Sequence, residues 1–158
     1  MKKIWIMLLR VFSLCSAICF AAGNHVVRAE ESEDHTYQKL ENGTVEITGY
    51  KGSGGEVIIP GEIDGMAVTG IGDSAFEGCS SLKSITIPDG VTSIGDDAFR
   101  DCSSLENITV PDGVIYIGEW AFYDCSNLES ITIPHSVYEH RRHSIFLVQQ
   151  SEEHYNPR

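Results

Sequence analysis

The chain is short of positive charge. Of its 158 residues, 11 are Lys or Arg and 23 are Asp or Glu. A nucleic-acid surface needs a basic footprint, and an anionic membrane surface needs the same, so neither is an expected partner. The one basic cluster, His140-Arg141-Arg142-His143, is confined to the tail. Long apolar runs are also missing. The stretch Ile4 to Ala22 is broken by Arg10, and the clean run Val11 to Ala22 falls short of the about 20 residues that span a bilayer. No histidine lies between His35 and His135, so Cys-His metal spacing is absent around the three cysteines there. No serine sits in a G-x-S-x-G elbow, and His140 and His143 lack the glutamate of H-E-x-x-H. With no nucleophile, base pair or ligand set in a recognisable spacing, neither an enzyme nor a cofactor is expected.

What is present begins with an export signal at residues 1–29. Lys2 and Lys3 form its positive end, the apolar stretch follows, and Val27-Arg28-Ala29 offers small residues for cleavage after Ala29. Cys15 and Cys19 lie inside it, outside any Leu-small-small-Cys lipoprotein context. Cleavage removes Lys2, Lys3, Arg10 and Arg28 and no acid, leaving 7 basic against 23 acidic residues, a formal charge of −16. No integral membrane segment is expected after cleavage. Acidity of this size keeps an exported chain soluble.

The organising feature is a repeat of 23 residues: VTGIGDSAFEGCSSLKSITIPDG (68–90), VTSIGDDAFRDCSSLENITVPDG (91–113) and VIYIGEWAFYDCSNLESITIPHS (114–136). A fixed period of this length implies a solenoid, in which each unit buries its apolar side against its neighbours. L-x-x-I-T-I-P reads as a short strand, with Ile85 and Ile87 on one face and Ser84 and Thr86 on the other. Asp89-Gly90 makes the turn after Pro88. G-D-S-A-F-E-G-C reads as a short helical turn with Ala75 and Phe76 buried, and Asp73, Asp96 and Glu119 are placed to cap its amides. The expected fold is thus a leucine-rich-repeat solenoid with a short parallel sheet on its concave face and short helical turns on the other side. At these residues the chain resembles the BspA-like leucine-rich repeats of bacterial surface and secreted proteins.

Residues 30–34 are polar and acidic, and read as a disordered lead. Residues 35–67 read as an atypical first unit capping the open end of the stack, as terminal units of solenoids do. Two extended runs there flank Asn42-Gly43, a hairpin signal. Gly52 to Gly55 forms a loop, and Val57-Ile58-Ile59-Pro60 repeats the strand-plus-proline ending. This segment resembles the "ITGY" and Gly-rich lead of the same family.

Cys79, Cys102 and Cys125 share one column between a buried Phe and a buried Leu. A buried small side chain bonding the backbone is the simpler reading, against a disulfide between adjacent turns. The acidic columns (Asp73, Asp96, Glu119; Asp101, Asp124; Asp89, Asp112) invite a calcium reading, but calcium requires 6–8 converging oxygens, and turn duties explain the residues more simply. What remains is a surface. Ser84, Thr86, Asn107, Thr109, Ser130 and Thr132 point outward from the expected sheet, with Lys83, Glu106 and Glu129 beside them. The resemblance implies adhesion to an extracellular protein or glycan through this face. Strand propensity of Thr is the plain alternative. The whole chain would then be a non-enzymatic binding module, secreted or on the cell surface, or else a spacer or stalk of a larger surface protein.

At Val137 the pattern stops, and YEHRRHSIFLVQQSEEHYNPR follows. One reading is a polar cap with a strand at 144–148. The other comes from the genetic code. Synonymous codons for these residues, read one base later, give TSIGDIAFFWCSSLKNITIPD, a fourth repeat in register after Val137. On that reading residues 137–158 are an out-of-frame tail, the product is truncated, and the strand edge at 131–133 is exposed to self-association.

Overall fold

The apolar columns of the repeat can be buried only by stacking one turn on the next, and the computed structural model is that stack. It describes residues 30–32, 34–129, 131–137 and 139–140. The expected export signal at 1–29, Ser130, His143 and the strand expected at 144–148 lie outside the described residues.

Each turn of the solenoid carries two strands where one was expected. The L-x-x-I-T segments form a parallel three-stranded sheet of β4 (Gly55–Ile58), β7 (Leu82–Thr86) and β9 (Asn107–Thr109). The V-x-x-I segments form a second sheet. There β3 (Val45–Tyr50), β6 (Met66–Ile71), β8 (Ser93–Ile94), β10 (Tyr116–Ile117) and β11 (Glu139–His140) follow one another in parallel. Ile71, Ile94 and Ile117 align across it, each 23 residues from the last, and are buried. β11 continues the same register, with Tyr116 opposite Glu139 and Ile117 opposite His140.

The first unit closes the upstream edge of this second sheet with antiparallel strands. β2 (His35–Lys39) pairs with β3 across the Asn42-Gly43 turn, and β5 (Glu62–Ile63) pairs with β6 across Asp64-Gly65. Asp64 and Gly65 both have positive φ, as a two-residue hairpin turn requires. The acidic lead, expected to be disordered, instead supplies β1 (Glu30–Ser32), antiparallel to β2. The reason is local: β2 offers an edge of backbone donors and acceptors, on which Glu30–Ser32 pair.

The helical corner is corrected. Among the described residues there is no helix; Asp73 to Gly78 is a run of turns. Its amides alternate. Ala75, Glu77 and Cys79 donate to carbonyls three residues back, at 3.1–3.3 Å, while Ser74, Phe76 and Gly78 donate to Asp96, Ala98 and Arg100 of the next turn, at 2.8–2.9 Å. In a helix the amides beyond the first turn, Gly78 among them, would bond within the segment and be lost to the neighbour. Left-handed φ values at Ser74 and Gly78, repeated at Asp97 and Asp101 and at Trp120 and Asp124, turn alternate amides toward the next turn.

Between the sheets runs a ladder of rings. Phe76, Phe99 and Phe122 are fully buried and stacked, with centroids 5.2 and 5.3 Å apart and planes within 16° and 4°. The first unit continues it, with Tyr50 5.4 Å from Phe76 and His35 5.4 Å from Tyr50. Burial holds the His35 imidazole below its ordinary pKa, with Asp34 opposing, and its Nε2 has no hydrogen-bond partner.

Candidate functional site

The three-stranded sheet presents two outward columns. Glu56, Ser84 and Asn107 align in one, and Ile58, Thr86 and Thr109 in the other, while Val57, Ile85 and Ile108 between them face the core. The structure therefore brings Ser84, Thr86, Asn107 and Thr109 onto one face. Thr132 is exposed but lies outside any strand, and Ser130 is not among the described residues. The sequence reading overlooked Ile58, which is 74% exposed. A signal was available: Val57-Ile58-Ile59-Pro60 aligns with Ile85-Thr86-Ile87-Pro88, so strand alternation sends Ile58 outward at the Thr position. Beside the sheet, Glu106, Ser126, Asn127, Leu128 and Glu129 border a cavity of about 370 Å³.

Cys102 and Cys125 serve the backbone. Each Sγ donates to a phenylalanine carbonyl of the preceding turn, Phe76 and Phe99 respectively, at 3.1 Å. Burial raises all three thiols above their ordinary range, Cys125 to about 12, and none is disulfide-bonded. A thiolate nucleophile or metal ligand needs the opposite shift.

The acidic column at I-G-[DE] links turns and does not cap a helix. Asp73 Oδ1 accepts from the amide of Asp96, and Asp96 Oδ1 accepts from that of Glu119, each at 2.8 Å. The glycine beside each acid makes room for this. A Cβ at Gly118 would lie 2.4 Å from both Asp96 N and Asp96 Oδ1, and one at Gly95 would lie 2.5 Å from Asp73 Oδ1. Among the described residues, no three His, Cys, Asp or Glu side chains are grouped to hold a metal ion. Nor does any helix among them have the length and apolarity to cross a membrane.

A second chemical feature lies on the corner of the third turn, and the sequence reading passed over it. The Arg100 guanidinium sits 5.5 Å from the Trp120 ring centroid and 5.3 Å from that of Tyr123, within cation–π range. Asp97 holds it at 3.1 Å, and Asp101 lies 3.6 Å from its Nε. Trp120 is 39% exposed and has a φ of 55°. The preceding turns place Ser74 and Asp97 in this left-handed position. For a residue with a bulky Cβ substituent that conformation costs roughly 1–2 kcal/mol.

Residues 62–153 match the family described as BspA type leucine rich repeat region (6 copies). Solved leucine-rich-repeat proteins share the fold. That of T. pallidum is 34% identical, with a TM-score of 0.65, and the match covers 70% of this chain and 52% of that one. One from Bacteroides capillosus is 33% identical with a TM-score of 0.67, covering 72% and 88%. One from Bacteroides ovatus is 36% identical with a TM-score of 0.63, covering 68% and 30%. The chain thus spans about half the length of the T. pallidum protein and less of the B. ovatus protein. A comparison with curated protein sequences gives no match.

Proposed function

Because the chain belongs to the BspA-type leucine-rich-repeat family, we propose that it is an exported, non-enzymatic binding module. Its ligand is an extracellular protein or glycan, met by Ser84, Thr86, Asn107 and Thr109 on the three-stranded sheet. The observation that carries this reading is the pairing of Thr86 with Thr109 and of Ser84 with Asn107 in two outward columns, with the exposed Ile58 completing one of them. An exposed isoleucine beside flat polar rows is the composition of a contact surface with one apolar anchor. The export signal expected at 1–29 supports an extracellular position for this surface.

Area limits strength. Three strands at ~4.8 Å each give a face ~14 Å long, against ~800 Å² per partner in a standard interface. β11 lies on β10 in the register of a further turn, which supports a fourth unit starting at Val137, and the shifted frame supplies the side chains to build it. Immobilised full chain, screened against extracellular matrix proteins and a glycan array, tests the reading. Saturable binding should fall at least about tenfold in Ile58→Glu/Thr86→Glu, a loss of 1.4 kcal/mol. If every ligand bound by the native chain is bound equally by that variant, the sheet face is not the site. No binding at all, even after repeats from the second frame are restored, would favour the spacer role.

A further inference from the structure

We propose that β1 and the first residues of β2 form a proton-operated cover over the upstream end of the ring ladder, hinged at a β-bulge and released when His35 is protonated. The cover lies at the end of the stack and uses no sheet-face residue. His35 is 8% exposed, and its ring is the last of the ladder, 5.4 Å from Tyr50 and 6.3 Å from Phe76. Its Nε2 is buried without a hydrogen-bond partner. A phenyl ring would close the ladder without leaving a polar atom unsatisfied. A proton on that nitrogen creates a buried cation with no acceptor at Nε2, and the ring is driven out toward water.

The strand is built to part at one place. The register between β2 and β3 shifts between Thr36 and Tyr37. On the far side of the shift β2 is firmly tied. Tyr37 donates to Asp64 at 2.7 Å, Gln38 donates to Glu46, and the Leu40 amide donates to the Thr44 carbonyl at 2.8 Å. On the near side the ties are fewer. The Thr48 hydroxyl reaches that of Thr36 at 3.2 Å, and the Lys51 amide donates to the Asp34 carbonyl at 2.8 Å. β1 sits on this part of β2, with Ser32 opposite His35 and Glu31 opposite Thr36, so it would move with the ring.

Charge around the ring sets the direction. β3 and the first corner present the rings of Tyr50 and Phe76 to it. Burial favours the neutral imidazole and outweighs Asp34, which favours the cation. Glu30 and Glu31 on β1, Lys51 after β3 and Glu77 after Phe76 are further charged residues of these elements, while Lys39 and Glu46 lie beyond the bulge. Once released, the ring takes up its proton at the ordinary value of about 6.5, so acid below that pH favours the open form. Opening uncovers the Tyr50 and Phe76 rings beside a cavity of about 340 Å³ bordered by Tyr50, Gly54, Glu77 and Cys79. Acid thus presents an aromatic surface that neutral pH hides.

Amide exchange of the full chain, followed by NMR at pH 7.5 and pH 5.0, tests the cover. Protection of the Lys51 amide should fall at least about fivefold at pH 5.0, after correction for the intrinsic pH dependence of exchange, while that of Leu40 holds. His35→Phe keeps the ring and loses the proton site, so Lys51 should stay protected at both pH values. His35→Arg carries the charge throughout, and should leave Lys51 unprotected at pH 7.5 with Leu40 still protected. The proposal is overturned if Lys51 stays protected in the native chain at pH 5.0, or if Lys51 and Leu40 lose protection together. It is equally overturned if His35→Phe opens as the native chain does, or if His35→Arg stays closed.

Discussion

The carboxylate of Asp73 is bonded to the amide of Asp96, 23 residues later and one full turn along the solenoid, at 2.8 Å. Asp96 repeats the gesture toward Glu119 and also lies 3.4 Å from the Tyr116 hydroxyl. A hydrogen bond to a charged acceptor contributes about 1.5–3 kcal/mol. Asp96→Ala should therefore lower unfolding stability by about 2 kcal/mol, with Asp96→Asn recovering most of it, because the amide oxygen still accepts. Urea denaturation reads both, and equal losses in the two variants would refute the linking role.

The glycine of the same motif is predicted to be less tolerant than its partner acid. In Gly118→Ala the new methyl would meet Asp96 backbone nitrogen at 2.4 Å, where nothing flexible can move aside. Overpacking of this kind costs about 1–3 kcal/mol, and the turn-to-turn bond to Glu119 would go with it. By contrast, nothing lies within 4 Å of a Cβ at Gly78, whose substitution is strained by its φ of 69° alone. Thermal melts of the two variants should rank Gly118→Ala as the more damaging.

The middle of the ring ladder should be its most sensitive point. Phe99 is fully buried and stacks on both Phe76 and Phe122. Phe99→Ala is expected to cost about 3–5 kcal/mol, and the loss should be seen as a single transition, since both flanking turns lose their contact with it. Calorimetry would detect the alternative, two separate transitions, directly.

The upper end of that ladder introduces a pH dependence. Burial lowers the His35 pKa from its ordinary 6.5, so the folded state favours the neutral ring while the unfolded chain still takes up the proton. Stability from this residue is full above about pH 6.5 and falls as pH drops from there through the folded value. Melting temperatures between pH 8 and pH 5 should decline with acid, and His35→Phe, which keeps the ring stack, should flatten the decline. An unchanged slope in that variant would assign the acid sensitivity elsewhere.

Thiol accessibility offers a check on the cysteine column. Cys79 is half-buried, while Cys102 and Cys125 are buried and bonded to phenylalanine carbonyls. Alkylation of the native chain, mapped by mass spectrometry, should label Cys79 first. The other two should react only on unfolding.

How far the sequence could be read depended on which residues carried the information. The buried columns of Phe76, Phe99 and Phe122, the Ile85 and Ile108 pair and the bonding of the cysteines to backbone were legible because identical side chains recur in register. The second sheet was not, because its strands β8 and β10 are two residues long and too short to show alternation. The corner misled for a related reason. Left-handed backbone at Ser74, Asp97 and Trp120 carries no glycine to announce it, so an A-F-x-x-C pattern resembled a helical turn. The outward Ser and Thr of the sheet followed from alternation, and so would Ile58 have done. The corner platform draws Arg100 and Trp120 from different turns, and the spacing within one repeat does not show that they meet.

The alternation of amides along the corner has a mechanical consequence. Strand pairs in both sheets, the corner bonds from Ser74, Phe76 and Gly78, and the Asp73 to Asp96 bond all run from one turn to the next, roughly along the axis of the stack. Tension between the two ends would load these bonds one gap at a time, so the chain should peel turn by turn in steps of low force. A pull across the axis would load many bonds at once, in shear. Such a rod is compliant lengthwise and stiff sideways, and its extension under flow would come in increments of one repeat.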